Sequence, residues 1–387
     1  MKRLKKVIAL LVASAALLSA VACAGTTTTS TTTAAAAAAT TTAAATTAAA
    51  ETTAAAATAK VGVAMPTKDL QRWNQDGANM KTSLEAAGYT VDLQYASNDI
   101  ATQVSQIENM IVGGCTVLVI AAIDGSSLGT VLATAKEANI PVIAYDRLIM
   151  GTDAVSYYAT FDNYMVGTIQ GQYIETTFGL KDGKGPFNME IFGGSADDNN
   201  ARFFYQGAYD VLKPYIDSGK LVVVSGQVAF EKIATTAWKT ENAQSRMDNL
   251  LTANYATGTK LDVVLCSNDS TALGVENALG NSGDYVVGDN WPVITGQDCD
   301  KANTINMIAG KQSMSVFKDT RTLAAKVVEM VTSIVKGTTV EVNDTKTYNN
   351  DKGIVPTFLC TPVFADKSNY KTILIDSGYY KEADLAS

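Results

Sequence analysis

Histidine is missing from all 387 residues. That gap removes Ser-His-Asp and Cys-His catalysis, imidazole acid–base chemistry and histidine-ligated metal sites. Cysteine is scarce. Cys23, Cys115, Cys266, Cys299 and Cys360 show no C-x-x-C spacing, so no zinc site is expected, and Cys115 and Cys266, in or beside apolar runs, read as buried free thiols, with a disulfide outside the cell as the alternative, whose pairing the sequence does not give. Excess positive charge is lacking too: 30 Lys+Arg face 38 Asp+Glu, a net charge of −8, which argues against a nucleic-acid partner, since phosphate calls for a basic stripe. After the N-terminus no stretch reaches about 18 uninterrupted apolar residues, so no later membrane span is expected. What remains is length enough for about two domains with substantial cores.

The N-terminus has a different composition. Lys2, Arg3, Lys5 and Lys6 precede a short apolar run from Val7 to Leu18, and small residues lead to Cys23, the pattern of an export signal over residues 1–22. Ala20-Val21-Ala22-Cys23 resembles a bacterial lipobox, with Ala20 where leucine is usual, which makes Cys23 the expected lipid attachment point. Removing the four basic residues leaves 26 basic against 38 acidic side chains, a net −12. Residues 23–59 are almost wholly Thr, Ala and Ser; such a tract buries too little apolar surface to offset chain entropy and reads as a tether. The expected location is the outer face of the cytoplasmic membrane.

From Lys60 the chain alternates β-branched runs with amphipathic stretches. Strands are expected at 61–65, 91–95, 116–123, 141–145, 187–192, 221–224, 261–266, 293–295 and 313–317, with helices that include 72–88, 101–112, 128–138, 201–212, 241–251 and 322–334. The continuous apolar run 116–123 suits a strand buried on both faces. This rhythm predicts an α/β fold with parallel sheets in two similar units, although a TIM barrel would alternate in the same way.

Ligands of open parallel sheets sit beyond the carboxyl ends of the strands. The residues found there are Lys68, Arg72 and Trp73; Asp146 and Arg147; Asp198 and Asn200; Asn268 and Asp269; Gln297 and Asp298; and Lys318, with Trp238 on a separate loop. Asp198 and Asp269 would also serve as helix N-caps. Arg202 is expected on a helix surface. No phosphate-binding G-x-G-x-x-G or G-x-x-x-x-G-K-[ST] occurs. Planar donors beside planar acceptors suit sugar hydroxyls, which both donate and accept, and indole faces suit the C–H surface of a pyranose. A free amino acid is the other ligand this mixture could hold. Gly125-Ser126-Ser127-Leu128-Gly129 mimics a nucleophile elbow but has no histidine to serve it, and Ser315-Val316-Phe317-Lys318 mimics S-x-x-K along a strand. Neither marks an enzyme, and no cofactor is called for.

Ser105 to Met110, Ile143-Ala144-Tyr145-Asp146-Arg147, Tyr157 to Asn163, Phe192-Gly193-Gly194-Ser195, Val211 to Lys220 and Asn343 to Tyr348 carry a wider likeness. From about Lys60 onward the chain resembles the sugar-binding proteins of ABC importers, in the xylose-binding and multiple-monosaccharide-binding group. The resemblance implies a type I periplasmic-binding-protein fold: two doubly wound parallel-sheet domains, residues 60–162 with 319–346 and residues 163–318 with 347–387, joined by a three-segment hinge. It implies ligand-binding positions at Arg72, Trp73, Asp146, Arg147, Asp198, Asn200, Trp238, Asn268, Asp298 and Lys318, to which Lys68 is added by its place on the first loop. It also implies a monomer that closes on an aldose such as xylose, arabinose, glucose or galactose and meets an ABC permease. A membrane kinase or chemoreceptor is the alternative partner.

Overall fold

The computed structural model describes residues 59–386; Cys23 and the expected leader lie outside them. Along the chain run β1 (Lys60–Met65), α1 (Gln71–Ala86), β2 (Thr90–Tyr95), α2 (Ile100–Val112), β3 (Val117–Ile120), α3 (Gly129–Glu137), β4 (Val142–Tyr145) and β5 (Val155–Phe161). Next come α4 (Asn163–Thr177), β6 (Phe187–Phe192), α5 (Asn199–Asp217), β7 (Leu221–Val223), α6 (Phe230–Ile233), α7 (Thr240–Leu250), β8 (Val263–Cys266), α8 (Asp269–Ser282), β9 (Val293–Ile294), α9 (Lys301–Ala309) and β10 (Met314–Phe317). The series ends with α10 (Thr320–Lys336), β11 (Thr357–Cys360) and β12 (Val363–Asp366).

Two open sheets result, so the alternation does not close into a barrel. The first has the order β11-β5-β4-β3-β1-β2 and is parallel throughout. The second has the parallel order β7-β6-β8-β9, and a bridge from Gln297 to Val316 ties it to the antiparallel pair β10-β12. β3 and β8 are buried along their whole length, as strands covered by helices on both faces must be. Two apolar clusters flank the first sheet, one built on Val61, Val63, Met80, Leu84 and Val327, the other on Ile107, Leu118, Ile120 and Leu132.

The chain passes from the first sheet to the second between Phe161 and Asn163, returns at Lys318-Asp319, and crosses again between Cys360 and Val363. The last crossing is not at 346–347 as expected: β11 pairs with β5 in the first sheet, and only β12 joins the second. Each sheet with its helices is called a lobe below.

Helix caps place much of the polar chemistry at the strand exits. Asp198 caps α5 by accepting from the Asn200 backbone N–H at 2.9 Å. Asn268 caps α8 in a capping box with Thr271. In the second lobe α4 and α5 pack very closely. A Cβ at Gly167 would come within 2.0 Å of Phe204 O, and one at Gly207 within 2.0 Å of Tyr164 O. This contact fixes the start of α5, and with it Asp198, Asn200 and Phe204.

Candidate functional site

α1 shows why the cleft forms where it does. Its buried residues include Arg72, Trp73, Asp76, Gly77, Met80 and Leu84, one helical stripe that is charged in its first turns and apolar beyond. A guanidinium and a carboxylate on a core-facing stripe need partners, and these converge from both lobes. Arg72 donates through Nε to Asp76 at 2.9 Å, through one terminal nitrogen to Asp146, and through the other to Asp298 at 3.3 Å. Tyr145 Oη donates to the second oxygen of Asp76. Lys318 Nζ lies 2.9 Å from the Asp298 oxygen that Arg72 also reaches.

On the next exit, Arg147 donates to the carbonyls of Ala122 and Ile123 at 3.0 and 3.1 Å, and its Nε sits 3.0 Å from Asp198 Oδ2. The same Asp198 oxygen accepts from the Trp238 indole at 3.2 Å. Asp198 is therefore cap, ion-pair partner and cleft wall at once. Trp73 lies near both guanidiniums, 5.5 Å from Arg72 and 5.0 Å from Arg147. Trp238 is held by a turn in which Ala237 and Trp238 both have positive φ, 54° and 58°. Asp146 at 59° and Asp298 at 99° are likewise left-handed, a conformation that costs non-glycine residues energy and tends to gather at functional sites.

Arg72, Trp73, Asp146, Arg147, Asp198, Trp238, Asn268, Asp298 and Lys318 line one cleft between the lobes. Asn268 commits its Oδ1 to the α8 cap, so its contribution to the cleft is its amide donor pair. Asn200 lies just behind the wall instead. Its Nδ2 donates to the Asp146 carbonyl at 2.6 Å, and its Oδ1 faces Tyr158 Oη at 3.0 Å; it ties α5 to the first lobe below the cleft. Lys68 does not join the site. The turn before α1 points it outward, where its ammonium lies 4.9 Å from the Tyr95 ring on the exposed surface.

Five wall residues are not among the ligand positions expected from sequence: Leu70, Phe204, Ser270, Gln297 and Asp300. Gln297 does stand among the strand-exit residues, and Asp300 is only two residues beyond Asp298. Phe204 carries no sequence signal, since an aromatic on a helix normally reads as core; here Lys318 lies 5.2 Å from its ring.

The electrostatics of the walls follow from burial opposed by pairing. Burial works against charge on Arg72, yet Asp146, Asp76 and Asp298 together outweigh it and raise its pKa well above the usual value. For Asp146 burial again opposes ionisation, but Arg72, Lys318 and Arg147 hold its carboxyl below the usual range. Burial pushes Asp198 upward against the pull of Arg147. Asp300 is pushed up by burial and by neighbouring Asp298, against Arg72 and Lys318, and its Oδ1 has no partner. Arg72, Arg147 and Lys318 thus face Asp146, Asp198 and Asp298 across the cleft, while burial biases Asp300 at the wall and Asp76 behind Arg72, the latter raised to about 6, toward the neutral form.

The sequence mimics of catalytic motifs take structural roles. Ser127 donates to Asp124 at 2.6 Å in the turn before α3. Ser315 donates to Asp269 at 2.8 Å on a buried strand. Cys115, Cys266, Cys299 and Cys360 are free and buried, and no cluster of potential metal ligands occurs among the described residues.

Comparison with known proteins agrees with this architecture. The model of the periplasmic binding protein domain matches residues 61–339. The multiple sugar-binding periplasmic receptor ChvE of Rhizobium radiobacter is 53% identical over 325 residues, covering 84% of this chain and 92% of that protein. The D-xylose-binding periplasmic protein of Escherichia coli is 39% identical over 329 residues, with 84% and 92% covered. Among solved structures, an ABC transporter solute-binding protein from Clostridium phytofermentans with bound β-D-glucose is 68% identical, with a TM-score of 0.82, covering 84% of this chain and all of that one. Two α/β lobes built on parallel sheets accord with these matches, and the chain belongs to the periplasmic binding protein family, with its type I fold.

Proposed function

We propose that the protein is an extracytoplasmic binding lipoprotein that captures a monosaccharide aldose between its lobes and delivers it to an ABC importer. The observation that carries this reading is the balance of the cleft. Paired charges of both signs, with hydrogen bonds left to give, and two indoles on its walls suit an uncharged polyol with apolar C–H faces. A net-charged ligand would upset the pairing. In this reading the ten residues Arg72, Trp73, Asp146, Arg147, Asp198, Asn200, Trp238, Asn268, Asp298 and Lys318 serve the sugar, Asn200 from behind the wall. The glucose-bound relative, 68% identical, and the relatives named for xylose or several sugars support that ligand class.

The mechanism is hinge closure around the ligand, a motion for which periplasmic binding proteins are themselves a standard example. First-lobe Arg72 and Arg147 and second-lobe Asp198, Trp238 and Asp298 face one volume only when the lobes are together. A sugar touching both walls gains contacts in the closed form alone, and that difference shifts the population. Acylation of Cys23 and a tether over residues 23–59 would keep the domain at the membrane beside its permease. A second reading, in which the closed form signals to a membrane sensor, is favoured by the word receptor in the name of one relative. Co-purification with a permease or with a kinase separates the two.

Titration calorimetry of the purified protein against D-glucose, D-galactose, D-xylose and L-arabinose tests the reading. At least one aldose is expected to bind saturably. Asp298→Asn, which keeps shape and tolerates positive φ, is expected to weaken that binding about 30- to 150-fold, the 2–3 kcal/mol of a charged hydrogen bond. Flat heats for the whole panel, or an unchanged affinity in the variant, would overturn it.

A further inference from the structure

Beside the cleft, a separate set of bonds joins the lobes. Gln71, Gln75 and Asn79 recur every four residues on α1, so they form one polar stripe along the helix. Each meets the C-terminal segment or the start of α10. Asn79 Nδ2 donates to Thr320 Oγ1 at 2.8 Å. Thr320 Oγ1 in turn lies 3.2 Å from Tyr379 Oη, and Tyr379 Oη donates to Gln75 Oε1 at 3.0 Å. At the cleft end Gln71 Nε2 donates to Tyr380 Oη at 2.7 Å, Tyr380 Oη donates to the Cys299 carbonyl at 2.9 Å, and the Lys301 backbone N–H donates to Gln71 Oε1 at 3.1 Å.

These partners belong to different lobes. α1 packs on β1, β2 and α10 of the first. Tyr380 is buried in a cluster with Cys299, Phe317, Ala365 and Leu374 of the second, and Phe317 meets the Tyr379 ring edge-on at 4.7 Å. Thr320 directly follows the crossing at Lys318-Asp319, so the Asn79 end of the stripe sits beside the hinge. Gln71 sits two helical turns farther along, about 12 Å at 1.5 Å per residue, and rotation about the hinge separates the far end most. Both polar atoms of the Gln71 amide are satisfied by second-lobe groups, and opening hands them to water.

We propose that Gln71 and Tyr380 form a closure latch: positioning residues, outside the cleft wall, that set how far the unliganded protein leans toward the closed form. This rests on the hinge-closure reading above. Apparent affinity equals intrinsic affinity scaled by the fraction of protein already competent to bind. A latch that touches no sugar therefore scales the affinity for every sugar by one common factor, whereas a wall residue such as Asp298 alters each sugar's affinity differently.

The test uses Gln71→Ala, Tyr380→Phe and the double variant. Calorimetry against two aldoses that the wild-type protein binds is expected to show each single variant about two- to twelvefold weaker, the 0.5–1.5 kcal/mol of a hydrogen bond. The ratio between the two sugars should stay unchanged, and the double variant should weaken binding by less than the product of the two single effects, because one of the three bonds is shared. Small-angle scattering of the sugar-free proteins is expected to show larger radii for the variants than for wild type. Unchanged affinities, or a changed sugar ratio, overturn the latch while leaving the site intact. If wild type binds no aldose, the function reading fails on its own, and scattering still decides the latch: equal sugar-free radii overturn it.

Discussion

In the first lobe the buried carboxylates Asp76 and Asp146 both meet the same guanidinium, Arg72, whereas in the second lobe Glu190, Asp269 and Glu276 are held by neutral donors. Glu190 accepts from the Ser225 N–H and hydroxyl and from Tyr255 Oη at 2.6–3.0 Å. Asp269 accepts from Gln312, Ser315 and the Asp300 N–H at 2.7–2.8 Å. Glu276 has only Asn306, at 2.5 Å, and its other oxygen is unpartnered. The contrast shows where positive charge is needed. First-lobe cations point at the cleft and reach across it, Arg72 to Asp298 and Arg147 to Asp198, so the second lobe's cleft acids are neutralised by closure. Of its other buried acids, Glu190, Asp269 and Glu276 are left to amides and hydroxyls, and Glu175 takes a lysine at the surface, Lys181 at 2.8 Å.

Removing the shared cation should have the largest effect. Arg72→Met keeps much of the stem volume but leaves Asp76, Asp146 and Asp298 without their guanidinium. Breaking a buried pair from one side typically costs about 3–5 kcal/mol. An unfolding free energy lowered by that amount, read from a lower urea midpoint, and loss of sugar binding are expected. Arg72→Lys should recover only part of either, since a point charge cannot address three carboxylates in a fan. A midpoint equal to wild type would show that the first lobe's acids do not depend on Arg72.

The second lobe's strategy predicts a pH dependence of the opposite kind. Burial, only partly offset by Asn306 and Lys311, raises Glu276 from 4.5 to about 8. A carboxyl with a folded pKa above its unfolded one binds its proton more tightly in the folded state. Its stabilising contribution is therefore full below about 4.5 and is lost as pH rises through about 8. Glu276→Gln, permanently neutral and nearly isosteric, should match wild type at pH 5. At pH 9 it should be more stable by on the order of 4 kcal/mol as an upper figure. Parallel denaturation curves at the two pH values check this, and a variant less stable at pH 9 would mean that the charged form has a partner.

Legibility in the sequence follows the same physics. Strands buried on both faces, such as β3, announce themselves as continuous apolar runs. β11 and β12, four residues each with mixed burial, give no comparable signal, and the two residues Thr361-Pro362 between them conceal the third crossing. The cleft is legible because parallel topology delivers every strand exit to one edge, so polar residues after apolar runs already share an address. That rule also misleads: Lys68 follows β1 but is turned away onto Tyr95. Nothing local reveals Phe204 as a cleft wall, or the bond from Gln71 to Tyr380, whose partners are 309 residues apart.

The two tryptophans give the finest form of the comparison. Trp73 sits in the first lobe's core cluster, anchored by the helix that carries it. Trp238 sits on a left-handed turn and is seated against Gly194, where an added Cβ would come within 2.0–2.5 Å of its ring. Gly194 thus makes room for the indole, and Gly194→Ala should push that ring off its seat while leaving the first lobe's wall untouched. Overpacking of this kind costs about 1–3 kcal/mol. Because the turn lies at the cleft, much of that strain should appear as weaker sugar binding, roughly tenfold, with a small change in urea midpoint. Calorimetry checks the affinity. Since Trp238 is one of three tryptophans, its emission on sugar addition should change as well. Wild-type affinity in Gly194→Ala would show that the indole's seat can shift freely, and with it that the second wall does not need the rigidity that α1 gives the first.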